Sequence, residues 1–425
     1  MLKKISVGII GLGYVGLPIL QLFSKKKIDC FGFDVDYTKV RSIKKNISYI
    51  SDLSNKSLKI IKKNQIFSMD EIKNIKKVDY IIFCLPTPLK NQNAPDMSIL
   101  KNAFNRTRKF LKKNQTIILE STVYPGATRD IFSSYLNRKF TLGKNFFLCY
   151  SSERISPGQT NKKKFKFFLH NTTKVISGFD KNSIAKIKFL YNKIFKKLFL
   201  AKSIEIAEMS KLLENSYRSV NIGLVNELKI ICNKLNLNIH EVLKTSASKP
   251  FGFSAFHPGP GVGGHCIPID PVFINWIAKK KGTKANFIDL ARRTNIKISD
   301  WVLEQIFNHN KKIKNKRVRR KIIIIGMAYK QDVNDTRESP SIKIYKKLSE
   351  HNNTVDYHDD KVNKVLINKK LIYSKPIKSV SNYDYTILCT AHSNLNKKYL
   401  LKKSKVIFDT RGIFADQNLK KIIKI

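Results

Sequence analysis

Acidic residues are scarce in this 425-residue chain, which has 31 Asp and Glu against 81 Lys and Arg and a formal net charge of +50. So positive a field attracts anions, including nucleic acid and membrane surfaces. The lysines, however, are spread along the chain among many Asn and Ile residues. No interleaved aromatics and no nucleic-acid-binding module accompany them. We therefore interpret the charge as a solvated lysine surface and expect no specific nucleic-acid partner.

Long apolar runs and a signal peptide are also lacking, so we expect a cytoplasmic protein with reduced thiols and no membrane association. Of the six cysteines, none has the spacing of metal ligands, and we predict no metal site. The hydrophobic fraction of 42% fits a globular enzyme of two or three domains. Five cysteines are predicted to be core residues: Cys30, Cys84, Cys149, Cys232 and Cys389.

The sixth cysteine, Cys266, lies in the densest chemical motif of the chain, GPGVGGHCIPIDP at 259–271. Glycines let backbone amides approach a ligand closely, and the prolines stiffen the loop. A thiol held there is placed for nucleophilic attack once it ionises, with Asp270 four positions later. Taken alone, the motif also fits a buried free cysteine in an ordinary turn. The loop glycines assigned to a substrate site are Gly261, Gly263 and Gly264.

A dinucleotide-binding motif opens the chain. Residues 4–10 form a β-branched run typical of a buried strand, and GLGYVG follows directly, before a helical stretch at 17–25. In this arrangement the first glycine makes the tight turn, the second admits a pyrophosphate, and the third lets the helix pack on the strand. The predicted cofactor-binding residues here are Gly11, Gly13, Tyr14, Val15 and Gly16.

An acidic residue after the second predicted strand, at 30–33, favours NAD over NADP. Asp34 follows the glycines by about 20 residues, the position from which a carboxylate accepts hydrogen bonds from the ribose hydroxyls. It would also repel a 2′-phosphate. Lys39, which we include among the cofactor-binding residues, and the nearby Arg41 leave NADP open.

Polar turns follow three further strands, predicted at 78–85, 115–119 and 145–150. These turns contain Thr87, Thr122 and Glu153. Ligands of open parallel sheets bind beyond the C-terminal ends of the strands, so we expect these side chains to face cofactor and substrate. Each residue alone fits the cap of a following helix equally well. Their recurrence at successive strand ends favours the binding interpretation.

A long helix is predicted at 203–234, a stretch without proline. Lys211 and Asn215 are four positions apart and share one face, which either projects into a site or is solvated. Beyond a lysine-rich stretch at 308–320, interpreted as a surface linker, a second α/β series begins at 321 without the three-glycine fingerprint. In the turn after its first strand, Lys330 and Arg337 are predicted to clamp an anion such as a pyrophosphate.

Four separated motifs resemble the nucleotide-sugar 6-dehydrogenase family, which acts on UDP-glucose, UDP-N-acetylhexosamines and GDP-mannose. They are the glycine turn, 121–126, the Cys266 loop and 330–340, and the resemblance covers essentially the whole chain. It is greatest to UDP-N-acetylglucosamine 6-dehydrogenases of bacterial surface polysaccharide pathways. Ile269 stands where UDP-glucose enzymes more often have lysine, and Ser152 where the family often has proline. UDP-glucose, UDP-N-acetylgalactosamine and UDP-N-acetylmannosamine remain alternative substrates.

The resemblance implies an α/β protein of two Rossmann-like domains joined by a long central helix and a small helical domain. The implied divisions are an NAD-binding domain at 1–200, a central dimerisation domain with the catalytic loop at 201–305, and a UDP-sugar-binding domain at 306–425. A homodimer or higher homo-oligomer is implied too. The substrate and NAD would meet in a cleft between the outer domains.

The resemblance also implies a four-electron oxidation of the sugar C6 hydroxymethyl to a carboxylate, with two NAD and one water. Lys211, or a water held by Asp270, would take the hydroxyl proton. Cys266 would then add to the aldehyde as a thiohemiacetal and become a thioester, hydrolysed by water that Asp270 or Glu153 polarises. Lys211 and Asn215 would stabilise the oxyanions. Thr122 is assigned to catalysis and cofactor binding, and Glu153, Arg154, Lys211, Asn215, Lys330 and Arg337 to substrate binding.

Two alternatives belong to other function classes. An inactive nucleotide-binding or nucleic-acid-binding protein of the same fold would not need Cys266, Lys211, Asn215 and Asp270, which are all present. A two-electron hydroxyacid dehydrogenase with a helical middle needs no cysteine, and the second α/β series would be surplus. Release of two NADH per substrate distinguishes the thioester route from both.

Overall fold

The computed structural model describes residues 5–50, 53–91, 93–154, 171–312 and 319–425. The chain divides into two compact units, the first Met1–Glu214 with Val272–Gly282 and the second Asn215–Pro271 with Thr283–Ile425. Each unit contains a sheet of mostly parallel strands with helices, which confirms the predicted α/β class with two Rossmann-like folds. Within the described ranges, no helix has both the length and the apolar character needed to cross a bilayer.

The first unit is built around an eight-stranded sheet. Strand β1 (Ser6–Ile10) is buried at every position, as expected for a strand covered by helices on both faces. The further strands of this unit are β2 (Asp29–Asp34), β3 (Ile66–Ser68), β4 (Tyr80–Phe83), β5 (Leu89–Lys90), β6 (Ala94–Pro95), β7 (Thr116–Leu119), β8 (Phe147–Ser151), β9 (Lys174–Gly178) and β10 (Leu198–Leu200).

The strand order of this sheet is β10-β9-β8-β7-β4-β1-β2-β3. Neighbours pair in parallel, except that β8 and β9 run antiparallel, with Ser151 opposite Ile176. Because β9 runs the other way, its first residue, Lys174, lies at the sheet edge where β7 and β8 end. Strands β3, β9 and β10 were not predicted from the sequence. Two of these strands have only three residues, and β9 starts with a lysine and ends with a glycine.

The helices of the first unit alternate with its strands. Aspartates at the N-caps of two of them accept backbone hydrogen bonds, Asp36 from Thr38 and Asp180 from Ser183. The long helix predicted at 203–234 is confirmed, and its residues from Asn215 onward belong to the second unit. The helices are α1 (Gly16–Lys25), α2 (Tyr37–Lys44), α3 (Asn55–Leu58), α4 (Ser98–Thr107), α5 (Ser134–Lys139), α6 (Lys181–Tyr191) and α7 (Ile204–Lys234), with short 3₁₀ or π segments at Lys63–Gln65, Met69–Lys77, Arg108–Phe110 and Arg129–Ser133.

The second unit contains a five-stranded sheet. Its first strand, β11 (Lys321–Ile325), has the bounds predicted from the sequence. The other elements are α8 (Ile239–Ser246), α9 (Asp270–Lys280, of which the first two residues belong here), α10 (Asn286–Lys312), α11 (Pro340–Glu350), β12 (Thr354–His358), β13 (Lys364–Ile367), β14 (Lys370–Tyr373), a 3₁₀ segment at Ile377–Asn382, β15 (Tyr385–Leu388), α12 (Lys397–Lys403), β16 (Val406–Asp409) and β17 (Ile422–Lys424).

All neighbours in this second sheet pair in parallel, in the order β12-β11-β15-β16-β17, and β13 and β14 form a separate hairpin. The linker predicted at 308–320 is wrong over its first part, because α10 continues to Lys312. The helix is anchored just before this stretch by Val302, Leu303 and Ile306, which are all buried. On the following turn, the side-chain oxygen of Asn310 accepts hydrogen bonds from the side chain of Arg320 at 2.9 Å and from the hydroxyl of Tyr385 at 3.0 Å, which stabilises the helix beyond the apolar stretch. Residues 313–318 lie outside the described residues.

Candidate active site

The glycine turn between β1 and α1 has the shape of a dinucleotide cradle. A Cβ on Gly16 would lie 1.9 Å from the carbonyl oxygen of Gly11, so only glycine lets the helix start this close to the strand. A Cβ on Gly13 would meet nothing within 4 Å, so this position faces open space. Helix α1 has no side-chain cap at Val15. Its N-terminal amides therefore suit a pyrophosphate, and the residues present fit NAD. Tyr14 and Val15 pack on the core of this unit.

Asp34 lies at the end of β2, as predicted, and is 5% exposed. Its carboxylate accepts hydrogen bonds from the backbone amides of Leu12, at 2.8 Å, and Asp36, at 2.9 Å. Lys39 lies 3.5 Å away, within reach of an ion pair. Because a carboxylate has about four acceptor sites, capacity for ribose hydroxyls remains. Lys39 is therefore placed to offset part of the charge of Asp34.

The corresponding aspartate of the second unit, Asp359 after β12, is engaged differently. Its two oxygens accept hydrogen bonds from the backbone amides of Met327, Ala328, Lys361 and Val362, and one oxygen is 2.9 Å from a ring nitrogen of His392. Five partners saturate the carboxylate. Asp359 therefore has no acceptor site left for the ribose hydroxyls of a dinucleotide, in contrast to Asp34.

The turns after β4 and β7 are tied to each other. The hydroxyl of Thr87 donates to the carbonyl of Thr122 at 2.6 Å, and the amide of Leu85 donates to the hydroxyl of Ser121 at 3.0 Å. Parallel strands end at one edge of a sheet, so the predicted residues Thr87 and Thr122 meet there. The hydrogen bond from the Thr87 hydroxyl therefore links the turn after β4 to the turn after β7.

A buried glutamate on α7, Glu208, holds the segment that follows Thr122. Its carboxylate accepts hydrogen bonds from the amide of Gly126 at 2.6 Å, the amide of Thr128 at 2.9 Å and the hydroxyl of Thr128 at 2.6 Å. Burial raises the pKa of Glu208 to about 7, although these three donors act in the opposite direction. Glu208 precedes Lys211 by one helical turn. This role of Glu208 was not predicted, because a glutamate on a helix ordinarily indicates a solvated face.

A second buried charged group that was not predicted from the sequence lies close to Glu153. Lys174 is 2% exposed, and its ammonium is 2.5 Å from a carboxylate oxygen of Glu120 and 3.8 Å from one of Glu153. The hydroxyl of Tyr191 donates to the other oxygen of Glu120. Next to Glu153, the guanidinium of Arg154 pairs with Glu214, which is a use of Arg154 other than the predicted substrate contact.

In the second unit, the catalytic loop predicted around Cys266 is closed by its own hydrogen bonds. The carbonyl of Cys266 accepts from the amides of Ile269, at 3.1 Å, and Asp270, at 2.9 Å. Asn215 donates from its side-chain amide to the carboxylate of Asp270 at 2.6 Å, and both residues are buried. Cys266 itself is half-buried, whereas the other five cysteines are buried as predicted. Cys266 is thus partly exposed, and the carboxylate of Asp270, four positions later, is oriented by Asn215.

Burial disfavours ionisation of four of the five other thiols. Burial raises the pKa of Cys30 to about 12 and that of Cys389 to about 11. It also raises the pKa values of Cys84 and Cys149 well above the ordinary range of a thiol. A thiol that stays protonated is a poor nucleophile. These four side chains therefore act as core residues.

The glycines of the Cys266 loop pack against the turn after β11. Gly264 has φ +88° and donates its amide to the carbonyl of Arg337 at 2.9 Å. A Cβ there would lie 2.7 Å from the ring of Tyr329. Gly263 is equally close to the same turn, and Gly261 to Ser299, whose hydroxyl donates to the carbonyl of Pro260 at 2.6 Å.

The turn after β11 carries the two predicted anion-binding residues. Lys330 is half-buried. Arg337 is 52% exposed, and its guanidinium forms an ion pair of 2.6 Å with Asp335. That pair orients the guanidinium and offsets part of its charge. Because the turn packs on the catalytic loop, residues of both motifs lie together in this unit.

The predicted site residues thus fall into two groups. The first unit holds the cofactor turn with Asp34, Thr87, Thr122, Glu153 and Lys211, of which Lys211 is 7% exposed. The second unit holds Asn215, Cys266, Asp270, the loop glycines, Lys330 and Arg337. Among the described residues, no group of three or more His, Cys, Asp or Glu side chains is suited to hold a metal ion.

Comparison with known proteins assigns each part of the chain. Three family models of the UDP-glucose/GDP-mannose dehydrogenase family match: the NAD binding domain at 4–195, the central domain at 205–297 and the UDP binding domain at 323–416. A UDP-N-acetyl-D-glucosamine 6-dehydrogenase from Salmonella typhi is 32% identical over 93% of this chain and 92% of its own. A UDP-N-acetyl-D-mannosamine dehydrogenase from Methanococcus maripaludis is 31% identical over 99% and 95%.

A solved structure, the UDP-D-ManNAc dehydrogenase from Pyrococcus horikoshii, superimposes with a TM-score of 0.86 at 26% identity, covering 98% of this chain and 97% of that one. The family resemblance and the NAD cofactor inferred from the sequence are confirmed. The chain therefore belongs to the UDP-glucose/GDP-mannose dehydrogenase family of NAD-dependent UDP-sugar dehydrogenases.

Proposed function

We propose that this protein oxidises C6 of a UDP-N-acetylhexosamine, UDP-N-acetylglucosamine first among them, to the uronic acid through a thioester on Cys266. The observation that carries the proposal is the half-buried Cys266 in a glycine loop with Asp270, whose carboxylate is oriented by Asn215. Relatives named for N-acetylglucosamine and for N-acetylmannosamine substrates match at nearly equal identity. UDP-N-acetylmannosamine is therefore the second candidate, and the product would serve surface polysaccharide synthesis in the cytoplasm.

In this mechanism two NAD molecules, bound in turn at the glycine turn, would each accept one hydride from C6, the first from the alcohol and the second from the thiohemiacetal. The chain's own residues perform the remaining steps. Lys211, or a water held by Asp270, removes the proton of the C6 hydroxyl. The Cys266 thiolate adds to the C6 aldehyde and forms a thiohemiacetal, which becomes a thioester once the second hydride has left C6. Water polarised by Asp270 or Glu153 then cleaves the thioester, which releases the carboxylate and restores the thiol.

Oxyanion stabilisation falls to Lys211 and Asn215, which supply donors to the tetrahedral intermediates. Such donors contribute about 3 to 4 kcal/mol each. Lys330 and Arg337 bind the pyrophosphate of the substrate, because a planar guanidinium and an ammonium both suit phosphate oxygens. Thr122 contributes at the strand edge that faces NAD.

The organisation proposed with this function is an NAD-binding domain at 1–200, a central domain at 201–305 and a UDP-sugar-binding domain at 306–425. The limits of the three family models support these divisions. We further propose a homodimer or higher homo-oligomer. Support comes from large apolar side chains exposed along α7: Ile206 at 52%, Leu213 at 60%, Tyr217 at 52% and Leu224 at 55%.

The test counts NADH released per UDP-sugar, with UDP-N-acetylglucosamine, UDP-N-acetylgalactosamine, UDP-N-acetylmannosamine and UDP-glucose offered in parallel. We expect two NADH per molecule of one N-acetyl sugar, and loss of the second NADH in Cys266→Ser. Cys232→Ala, which changes a buried thiol on α7, serves as the control and should keep the stoichiometry of two. One NADH per substrate in the unaltered protein, or turnover only of UDP-glucose, would contradict the proposal.

A further inference from the structure

Lys229, on α7 in the second unit, is a buried cation without a carboxylate partner among the described residues. Its side chain is 4% exposed. The side-chain nitrogen donates a hydrogen bond to the carbonyl of Thr410 at 3.1 Å and lies 5.6 Å from the ring centroid of Trp301. Lysine is almost never fully buried unless it is paired with an anion. Because an ammonium has three donors, Lys229 can donate two further hydrogen bonds.

The groups around Lys229 do not compensate its charge. Burial, and after it the guanidinium of Arg411, lower the pKa of Lys229 to about 7. Asp409 acts in the opposite direction, but its two carboxylate oxygens accept hydrogen bonds from the amides of Arg411, at 3.1 Å, and Phe414, at 2.7 Å. Burial raises the pKa of Cys389 to about 11, so this thiol is uncharged at neutral pH. The surroundings of Lys229 are therefore positive on balance.

Lys229 also lines a cavity of about 40 Å³ in the second unit. Since one water molecule requires about 10 to 15 Å³, this cavity has room for a small ion. Asn233 lies one turn after Lys229, on the same face of α7, and lines the cavity too. Neither Lys229 nor Lys424 forms an ion pair with a carboxylate of the described residues. Further lining residues are His240 on α8, Trp301 on α10, Asp409 on β16, Lys424 on β17, and Ile425.

We propose that this cavity is a binding site for a small free oxyanion of the phosphate or sulfate type, with Lys229 as its buried counter-ion. Such an ion accepts several hydrogen bonds, which the remaining donors of Lys229 and the side-chain amide of Asn233 can supply. Its charge compensates the buried ammonium. The cavity lining contains none of the residues assigned above to NAD, to the UDP-sugar or to catalysis, so the site is additional to the candidate active site.

Trp301 allows binding to be measured directly, because it lines the cavity. The chain has two tryptophans, and the other, Trp276, packs on Tyr124 in the first unit. In a Trp276→Phe background, sulfate and inorganic phosphate should each change the Trp301 fluorescence saturably at an ionic strength held constant with sodium chloride. Lys229→Met should weaken the sulfate Kd by roughly tenfold or more, as expected for loss of a hydrogen bond to a charged group. Lys234→Met, which removes an exposed lysine of the same helix, is the matched control and should keep the Kd.

The pH dependence provides a second readout. A bound oxyanion favours the ammonium form of Lys229, so sulfate, whose own charge is constant near neutral pH, should bind with uptake of a proton. Its Kd should be nearly constant below pH 7 and rise by about tenfold per pH unit above it. Burial lowers the pKa of His240, which is therefore uncharged above pH 7 and does not produce this rise. In Lys229→Met the rise should be absent.

Lys229→Met should fold, and its Tm without sulfate should be higher than that of the unaltered protein, because an apolar side chain replaces a buried unpaired charge. Equal sulfate affinities in Lys229→Met and Lys234→Met, or a fluorescence change that follows ionic strength alone, would indicate adventitious binding to the lysine surface and overturn the proposal. Saturating UDP should leave the sulfate Kd unchanged. Competition by UDP would place the cavity in the nucleotide site and overturn the proposal of an additional site. None of these measurements requires turnover, so their outcome is independent of the proposed function.

Discussion

The side-chain amide of Asn215 donates a hydrogen bond of 2.6 Å to the carboxylate of Asp270, although the two residues are 55 positions apart. Both side chains are buried, at 5% and 2% exposure. A charge-assisted bond in such a setting is worth about 1.5 to 3 kcal/mol and fixes the carboxylate in direction. The amide of Asp270 is in turn bonded to the carbonyl of Cys266.

For Asn215→Ala we predict a fall in kcat on the order of 100-fold or more, from loss of an oxyanion donor and of the orientation of Asp270. The free energy of unfolding should fall by about 1.5 to 3 kcal/mol in parallel. Asn221→Ala is the matched control on the same helix, because its side-chain amide donates to the carbonyl of Tyr217 one turn earlier. Equal activity losses in the two variants would show that Asn215 acts through helix stability alone.

Glu208 predicts a pH dependence of stability. Burial raises its pKa to about 7, above the ordinary value of 4.5 for glutamate. Its neutral form is therefore favoured on folding, and this contribution is complete below about pH 4.5 and lost as the pH rises through 7. Urea unfolding measured from pH 4 to 8 tests this. Between about pH 4.5 and 7, the free energy of unfolding of Glu208→Gln should rise relative to that of the unaltered protein, and above pH 7 the two curves should be parallel.

Glu205, one turn earlier on α7, is the control, because its pKa is shifted in the opposite direction. Burial opposes its ionisation, but hydrogen bonds from the backbone and from Arg129 outweigh burial and hold its pKa below the ordinary value. Its contribution is therefore present above about pH 4.5 and lost in acid. Glu205→Gln should be less stable than the unaltered protein near pH 7 and converge with it at low pH. If the stability curves of both variants ran parallel to that of the unaltered protein at every pH, the opposite pKa shifts assigned to Glu208 and Glu205 would be contradicted.

Asp34 predicts the choice of cofactor. Asp34→Asn should lower the ratio of kcat/KM for NAD to that for NADP by roughly tenfold or more, since removal of about 1.4 kcal/mol of discrimination corresponds to tenfold. The ratio is insensitive to partial unfolding, which matters because Asp34 also holds the amide of Leu12. Asp29→Asn, at the other end of β2, should leave the ratio unchanged. An unaltered ratio in Asp34→Asn would mean that this carboxylate does not face the ribose.

Gly264 predicts the cost of disturbing the catalytic loop. Gly264→Ala and Gly282→Ala both place alanine at positive φ, +88° and +77°, but only the first new Cβ meets a neighbour, the ring of Tyr329. The steric contact should cost Gly264→Ala about 1 to 3 kcal/mol more in the free energy of unfolding. Combining it with Tyr329→Leu should recover part of the difference. Equal costs in both variants would place the strain in the backbone alone.

Local patterns were sufficient for most of the fold. The β-branched run before the glycine turn, the apolar strand at 321–325 and the proline-free helix at 203–234 depend on residues close in sequence, and they occur at or near the predicted bounds. The end of α10 was missed for a local reason as well, because its last turns carry lysine and asparagine. The roles assigned to Cys266 and its partners stay predictions.

The amino-acid sequence by itself determined the family, the cofactor turn and the cysteine loop, because glycine spacing and nucleophile type are local properties. Only the tertiary structure decided which distant side chains serve these motifs. Glu208 reaches Gly126 across 82 positions, and Lys174 reaches Glu120 across 54 because one strand runs antiparallel to its neighbour. Such contacts depend on strand direction and packing, which no pattern around a single lysine or glutamate contains.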